Sequence, residues 1–148
     1  MAAAVAAGYR CLPIPGASSA LAALSVAGDI EGGPFQFVGF PVARGAERLR
    51  ELQRIADSVY TQVLFEAPHR IEALALSLAQ LCGPRRVTLC RELTKHFETV
   101  VTLSCSELPA WLTADANRTR GEFALVVHAR AAAPADAQPA PHDTMLRV

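Results

Sequence analysis

Lysine is nearly missing from this chain: of 14 basic side chains only Lys95 is a lysine, and the other thirteen are arginine. Arginine therefore serves wherever a generic surface cation suffices. The lone lysine is either an ordinary solvated loop residue or a group used for what arginine does poorly, a compact ammonium with a tunable pKa. No CxxC pair occurs among Cys11, Cys82, Cys90 and Cys105, and no histidine stands at ligand spacing from any of them. That argues against a zinc site or a disulfide frame and for four free thiols, so no metal is expected. No run of about 18 apolar residues is present, so no membrane-spanning helix is expected. The opening "MAAAVAAGYRCLPIPG" lacks the basic residues that start a signal peptide. It reads as the end of a helix, with a cytoplasmic location as the default. Formal net charge is zero over 148 residues, which excludes a general attraction to polyanions and leaves only local patches.

What is present is a globular composition, 51% hydrophobic with a mean hydropathy of +0.23, enough to bury one working core. Ala2 to Ala7 form the last turns of a helix ended by Gly8, and "YRCLPI" reads as a short buried strand closed by Pro13 and Pro15. Ser18 or Ser19 caps a helix with Ala20, Leu21 and Leu24 on its apolar side, stopped by Gly28. "FQFVGF" alternates as a strand. "ARGAERLRELQRIAD" is an amphipathic helix with Leu49, Leu52, Ile55 and Ala56 on one side. A strand "YTQVLFE", a helix repeating Ile71, Leu74, Leu78 and Leu81, and two strands, "RVTLCRE" and "FETVVTLS", follow. Ser106 is placed as the cap of a short helix holding Leu108, Trp111 and Leu112, before a basic turn "ANRTRG" and a last strand "EFALVVHA". No internal repeat occurs. Strands and helices alternate except around residue 95, which predicts a mixed sheet, parallel and antiparallel, of about five strands flanked by helices.

Three segments end or begin a strand with polar residues: "FEAPHR", "CRELTK" and "RGE". Ligands in open α/β sheets sit beyond strand ends, so Glu66, His69, Arg70, Glu92, Thr94, Lys95 and Glu122 are expected to face one cleft. The segment "CRELTKHFETVV" is odd for a hairpin, because it gathers charge where a turn prefers Gly, Asn or Asp. His69 is either a locally bonded residue of a helix start or a ligand contact. Arg70 is either a surface charge or an anion clamp. Arg44, Arg48, Arg50 and Arg54 interleave with Glu47 and Glu51, largely as helix-face ion pairs. Arg118 and Arg120, in a Gly-terminated loop, are better placed to reach phosphates.

Taken together, "PIPGASSALAALSVAG", "FVGF", "VLFEAPHRI", "RVTLCRELTKHFE" and "NRTRGEFALVV" resemble, in order and spacing, the tetrapyrrole-methylase superfamily of S-adenosylmethionine-dependent methyltransferases. The resemblance is strongest to its ribosomal RNA branch, which methylates a cytidine 2′-hydroxyl of the small subunit. It covers residues 2 to 127. It implies the C-terminal domain of a class III S-adenosylmethionine methyltransferase over 15–130, a remnant of the N-terminal methylase domain over 1–14, and a disordered Ala/Pro-rich tail over 131–148.

The same resemblance implies S-adenosyl-L-methionine as cofactor, approached by Ala17, Ser18, Ser19, Glu66 and Leu93. It implies small-subunit ribosomal RNA as substrate, for which Arg44, Arg48, His69, Arg70, Arg118, Arg120 and Glu122 are the candidate contacts. The chemistry of ribose methylation, not the resemblance, makes Glu92 or Lys95 a catalytic candidate: either could aid loss of the hydroxyl proton, and Lys95 as a cation is favoured to hold a phosphate or the developing oxyanion. The resemblance also implies a homodimer, and a missing N-terminal domain needed to complete the site, so that this chain alone is expected to be inactive. Three departures from the branch stand out: "PVARGAER" replaces a Lys-rich segment, His96 replaces a small or aromatic residue, and Phe65-Glu66-Ala67 replaces Tyr-Glu-Ser. Competing readings are a non-catalytic binding or dimerisation module of the same fold, and a methylase of a tetrapyrrole or another small substrate.

Overall fold

A computed structural model describes residues 1–28 and 33–130; the expected tail and part of the "DIEGG" loop lie outside the described residues. The strands Phe35–Gly39 (β1), Thr61–Glu66 (β2), Arg86–Arg91 (β3), Thr99–Ser104 (β4) and Phe123–Val127 (β5) form one sheet. Their order is β1-β2-β5-β3-β4. Only β1 and β2 run parallel; β5 is antiparallel to both β2 and β3, and β4 is antiparallel to β3. The sheet is thus mixed and five-stranded, as the alternation of elements predicts. Central β5 is buried at every position, consistent with its uninterrupted "FALVV".

Helices Gly45–Asp57 (α3), Ile71–Cys82 (α4) and Leu108–Thr113 (α5) supply the main core, where Leu52, Ile55, Ile71, Leu74, Leu78, Leu108 and Leu112 meet Leu64, Val87, Leu89 and Leu125. A second, smaller core lies on the opposite face. There Ala20, Ala23 and Ala27 of helix Ser19–Ala27 (α2) pack on Val63, Cys90, Ala124 and Val126. Alanines at these spacings allow the helix to lie close to the sheet. Leu21, expected on the apolar side, is instead 56% exposed. Leu49 of α3 is likewise exposed, because Leu52, Ile55 and Ala56 already cover the sheet.

Ser18 caps α2 by accepting a hydrogen bond from the Leu21 amide, and Gly28 ends it in a left-handed conformation with φ of 58°. Ser106 does not cap α5. Its amide donates to the Gly83 carbonyl, while the Glu107 carboxylate accepts from the Ser104 amide and hydroxyl. Residues 9–14 form no strand: after a short helix Ala2–Ala6 (α1), Tyr9, Leu12 and Ile14 are 72%, 64% and 91% exposed. No described strand pairs with this segment, so its apolar side chains stay in the open.

Arg85 performs an unexpected structural task. Buried just before β3, it donates to the carbonyls of His128, Ile55, Ala56 and Tyr60. Together with Arg130, which also donates to Ala56, it satisfies carbonyls at the C-terminal end of α3 that no helix bond can reach. Burial lowers the pKa of this guanidinium from its ordinary value.

Candidate functional site

The antiparallel registers bring the C-terminal ends of β2 and β3 beside the N-terminal ends of β5 and β4: Glu66 and Arg91 both pair with Phe123, and Arg91 pairs with Thr99. The three polar segments therefore do converge at one end of the sheet. A cleft of about 430 Å³ opens there, within the usual range for small-molecule and cofactor sites. Ser19 borders it from the start of α2, Phe40 from the loop after β1, and Glu66, Ala67 and Pro68 from the end of β2. Leu93, Cys90, Phe123 and Ala124 complete an apolar floor, with Glu122 at the rim. Phe65 also lines it and meets Phe37 and Phe40 edge-on at 5.2 and 5.6 Å between centroids. Burial pushes the Cys90 thiol up to about 11, with Glu98 adding to the shift, so at neutral pH this wall is uncharged.

Two charged clusters flank the cleft. In the first, the buried Glu66 carboxylate takes a 2.7 Å ion pair from Arg70 Nη2 and the Ala67 amide at 2.9 Å, both on Oε1. Arg48 Nη1 stands 3.6 Å from Oε2 and donates to the Val42 carbonyl at 2.9 Å. Glu51 in turn accepts from the Val42 amide, so the loop carrying Phe40 and Arg44 is tied to both α3 and β2. Arg48 and Arg70, read from sequence as substrate contacts, thus turn inward to Glu66. Alternation along β2 explains it: Leu64 and Glu66 point to the α3–α4 side, and a carboxylate there must be paired. Glu66 borders the cleft from the strand end while its carboxylate serves the ion cluster.

The second cluster lies on the turn between β3 and β4. Lys95 Nζ donates to Glu92 Oε1 at 3.1 Å and to Glu122 Oε2 at 2.9 Å, and the Glu122 amide donates to Glu92 Oε1 at 2.8 Å. The hydrogen bond from the Glu122 amide, aided by Lys95, lowers the Glu92 pKa. Bonds to Glu122 and Glu92 raise that of Lys95, so the ammonium is held as a cation. The turn needs unusual backbone to do this: Glu92 and Thr94 have φ of 52° and 65°. The Glu92 amide donates to the Glu122 carbonyl, the Lys95 amide to the Glu92 carbonyl, and the Thr94 amide to Glu98. These bonds take over the role that Gly or Asn plays in an ordinary turn. Across from them, a Cβ on Gly121 would stand 2.6 to 2.8 Å from three Glu92 side-chain atoms, at a φ of 97° that disfavours any other residue. Gly121 is a site residue the sequence reading did not single out, although it lies inside "RGE".

The remaining candidates scatter. His69, Arg44 and Arg120 are exposed near this end of the sheet. Arg118 stacks on Trp111, 4.4 Å from the ring centroid, and donates to its carbonyl, so much of its reach is committed. Ser18 spends its hydroxyl on the helix cap, Ser19 borders the cleft, and exposed Ala17 is not part of its lining. Among the described residues no group of three or more His, Cys, Asp or Glu is arranged to hold a metal, and no helix is long and apolar enough to cross a membrane.

The chain thus has a mixed sheet with helices on both faces and a cleft at its strand ends, and comparison with known proteins shows where such a domain occurs. The profile of the family described as Tetrapyrrole (Corrin/Porphyrin) Methylases matches residues 1–109, and the chain belongs to that family. It is 42% identical over 122 residues to the ribosomal RNA small subunit methyltransferase I of Neisseria meningitidis serogroup B, covering 82% of this chain and 42% of that protein. The chain therefore spans under half the length of that relative. Among solved structures, the methyltransferase CobJ superposes with a TM-score of 0.61 at 19% identity, over 88% of this chain and 55% of that one. Uroporphyrin-III C-methyltransferase from Thermus thermophilus, solved with S-adenosylhomocysteine, gives 0.51 at 20% identity, over 83% and 55% of the two chains. At these identities the structures speak for the fold.

Proposed function

We propose that this chain forms one wall of an S-adenosyl-L-methionine-dependent site that methylates a ribose 2′-hydroxyl of small-subunit ribosomal RNA. The observation that carries the reading is the single lysine of the chain, fixed as a cation beside the cleft by two carboxylates. Similarity to an rRNA methyltransferase over most of the chain supports the substrate class. The cleft suits the cofactor: it is mainly apolar, of adequate volume, and bordered by strand ends where backbone groups can meet an adenosine. Ser19, Glu66 and Leu93 would hold it, with Ala17 and Ser18 at the approach. When bound, S-adenosyl-L-methionine supplies a methyl group already activated on a sulfonium sulfur. The protein's part is then to align the hydroxyl and manage charge.

Lys95, its pKa raised, is suited to steady a phosphate or the developing oxyanion rather than to take a proton. Glu92, its pKa lowered, is a weakened base that chiefly fixes Lys95. Arg44, His69 and Arg120 offer exposed contacts for RNA, and Arg118 a partly committed one; Arg48 and Arg70 act by holding the loop and strand end in place. In this reading a second domain supplies the opposite wall, to which residues 1–14 belong. The working protein is a cytoplasmic homodimer, and the chain on its own is inactive.

Two measurements test it. In the complete two-domain protein, Lys95→Ala lowers methylation of small-subunit RNA by about 100-fold, the scale for losing one charge-stabilising donor. The affinity for S-adenosylhomocysteine measured by calorimetry changes little; unchanged turnover rejects the role. Titrating the lone chain with S-adenosylhomocysteine gives weak binding that tightens when the other domain is present. Tight binding by the lone chain rejects the divided site.

A further inference from the structure

The turn that carries Lys95 also displays an aromatic residue with no task in the core. Phe97 is 68% exposed, and the His96 ring meets it edge-on at 4.7 Å. A single exposed aromatic is unremarkable, but this one is held firmly. Arg91 Nη1 donates to the Phe97 carbonyl at 3.1 Å while its Nε donates to the Arg120 carbonyl at 2.6 Å. One guanidinium thus fixes an exposed aromatic residue beside the loop of an exposed arginine. The turn is braced on its other side by the Glu98 amide donating to the Lys95 carbonyl and by the Glu98 carboxylate accepting from the Thr94 amide. The carboxylates nearby are engaged: Glu98 with Thr94, and Glu92 and Glu122 with Lys95. What remains on offer is a flat ring beside the loop of an exposed arginine.

We infer that Phe97, with His96 at its edge and Arg120 beside it, is a stacking platform for one unpaired RNA base flanking the target nucleotide. The chemistry matches a nucleotide unit, with the base lying on the ring and its phosphate near Arg120. Such sites read single strands by stacking, with little regard to base identity. A braced turn presents the ring without the entropy cost of ordering a mobile loop on binding. This inference rests on the RNA reading of the preceding section, and its test separates the two.

The experiment measures binding of the 148-residue chain to single-stranded 12-nucleotide oligo(C) and oligo(A) RNA by fluorescence anisotropy across a salt series. Circular dichroism confirms that each variant is folded. Phe97→Ala is expected to weaken binding by roughly 5- to 100-fold, the range for one stacked base, on both sequences and with an unchanged salt slope. Phe97→Trp retains binding, and Phe97→Leu, similar in apolar bulk but without a π face, does not. Arg120→Ala lowers the salt slope by about one. If Phe97→Leu or Phe97→Ala binds like the parent while Arg120→Ala weakens binding, the RNA reading stands and the platform is overturned. If the parent chain shows no salt-sensitive RNA binding, both fall. If Phe97→Ala instead alters the oligomeric state in light scattering and leaves RNA affinity intact, the residue serves self-association and the platform is rejected.

Discussion

The two charged clusters at the end of the sheet are near mirror images in composition. Glu66 has one carboxylate between two arginines and is buried; Lys95 is one ammonium between two carboxylates and is exposed. Their energetics differ accordingly. Removing one partner of a buried pair leaves an uncompensated charge, whereas exposed pairs contribute little to stability. Evolution of a stable fold would require the first cluster and be nearly indifferent to the second. Yet the second is the one held by two left-handed residues and by a glycine that leaves room for Glu92. Backbone strain at an exposed ion pair that adds little stability has no counterpart in the fold's own needs, and the role proposed for Lys95 would supply one.

This contrast can be broken at three residues and by pH. Glu66→Ala should do most harm to the fold, leaving the half-buried Arg48 and Arg70 without a counter-charge. A loss of about 3–5 kcal/mol, read as a melting point lower by roughly 10 °C, is the expected result. A change under about 2 °C would show that water already reaches the cluster. Gly121→Ala comes next, because the new methyl must displace the Glu92 side chain and adopt a disfavoured φ. A cost of about 1–3 kcal/mol is expected by denaturant unfolding. The Lys95 ammonium should also lose its protection in NMR spectra, and preserved protection would refute the packing described. Lys95→Ala sits at the other extreme, with a melting point within about 2 °C of the parent, since an exposed pair is involved.

The pH response is the smallest effect and the sharpest. Because the Glu92 pKa is lowered on folding, its contribution is complete above the ordinary carboxylate value of 4.5 and is lost as pH falls through the folded value. The Lys95 pKa is raised, so its contribution is complete below 10.5 and is lost as pH rises through its folded value. The cluster should therefore hold steady between those limits. Hydrogen exchange of the Glu122 amide, corrected for intrinsic rates, should show constant protection across neutral pH and a loss only at the acid and alkaline ends. Loss of protection around pH 7 would contradict both shifts.

Much of the fold was legible because the signals were local. Ser18 and Gly28 bracket α2, and Ile71, Leu74 and Leu78 repeat at helical spacing, as the structure bears out. The convergence of "FEAPHR", "CRELTK" and "RGE" was also accessible, since all three mark strand ends. What escaped depended on contacts between distant segments. Leu21 and Leu49 are as apolar as their buried neighbours, but the sheet was already covered. Arg48 and Arg70 look like surface charges until β2 aims Glu66 between them, and nothing near Arg85 in sequence indicates that four carbonyls await it. Gly121 gained meaning only from its contact with Glu92, twenty-nine residues away in sequence.

Among the described residues, strand β5 is the last element in chain order and the middle one in the sheet. Before it arrives, β1–β2 and β3–β4 are separate pairs with no ladder between them. During synthesis the chain must therefore keep two half-sheets apart, each with an open edge, until the final strand slides in and zips both at once. The floor of the cleft is made by that same closing event, through Phe123 and Ala124. The shape of the cleft should consequently appear only once residues 123–127 have been made, and a nascent chain halted before residue 123 would carry nearly all the side chains around the cleft and none of its shape.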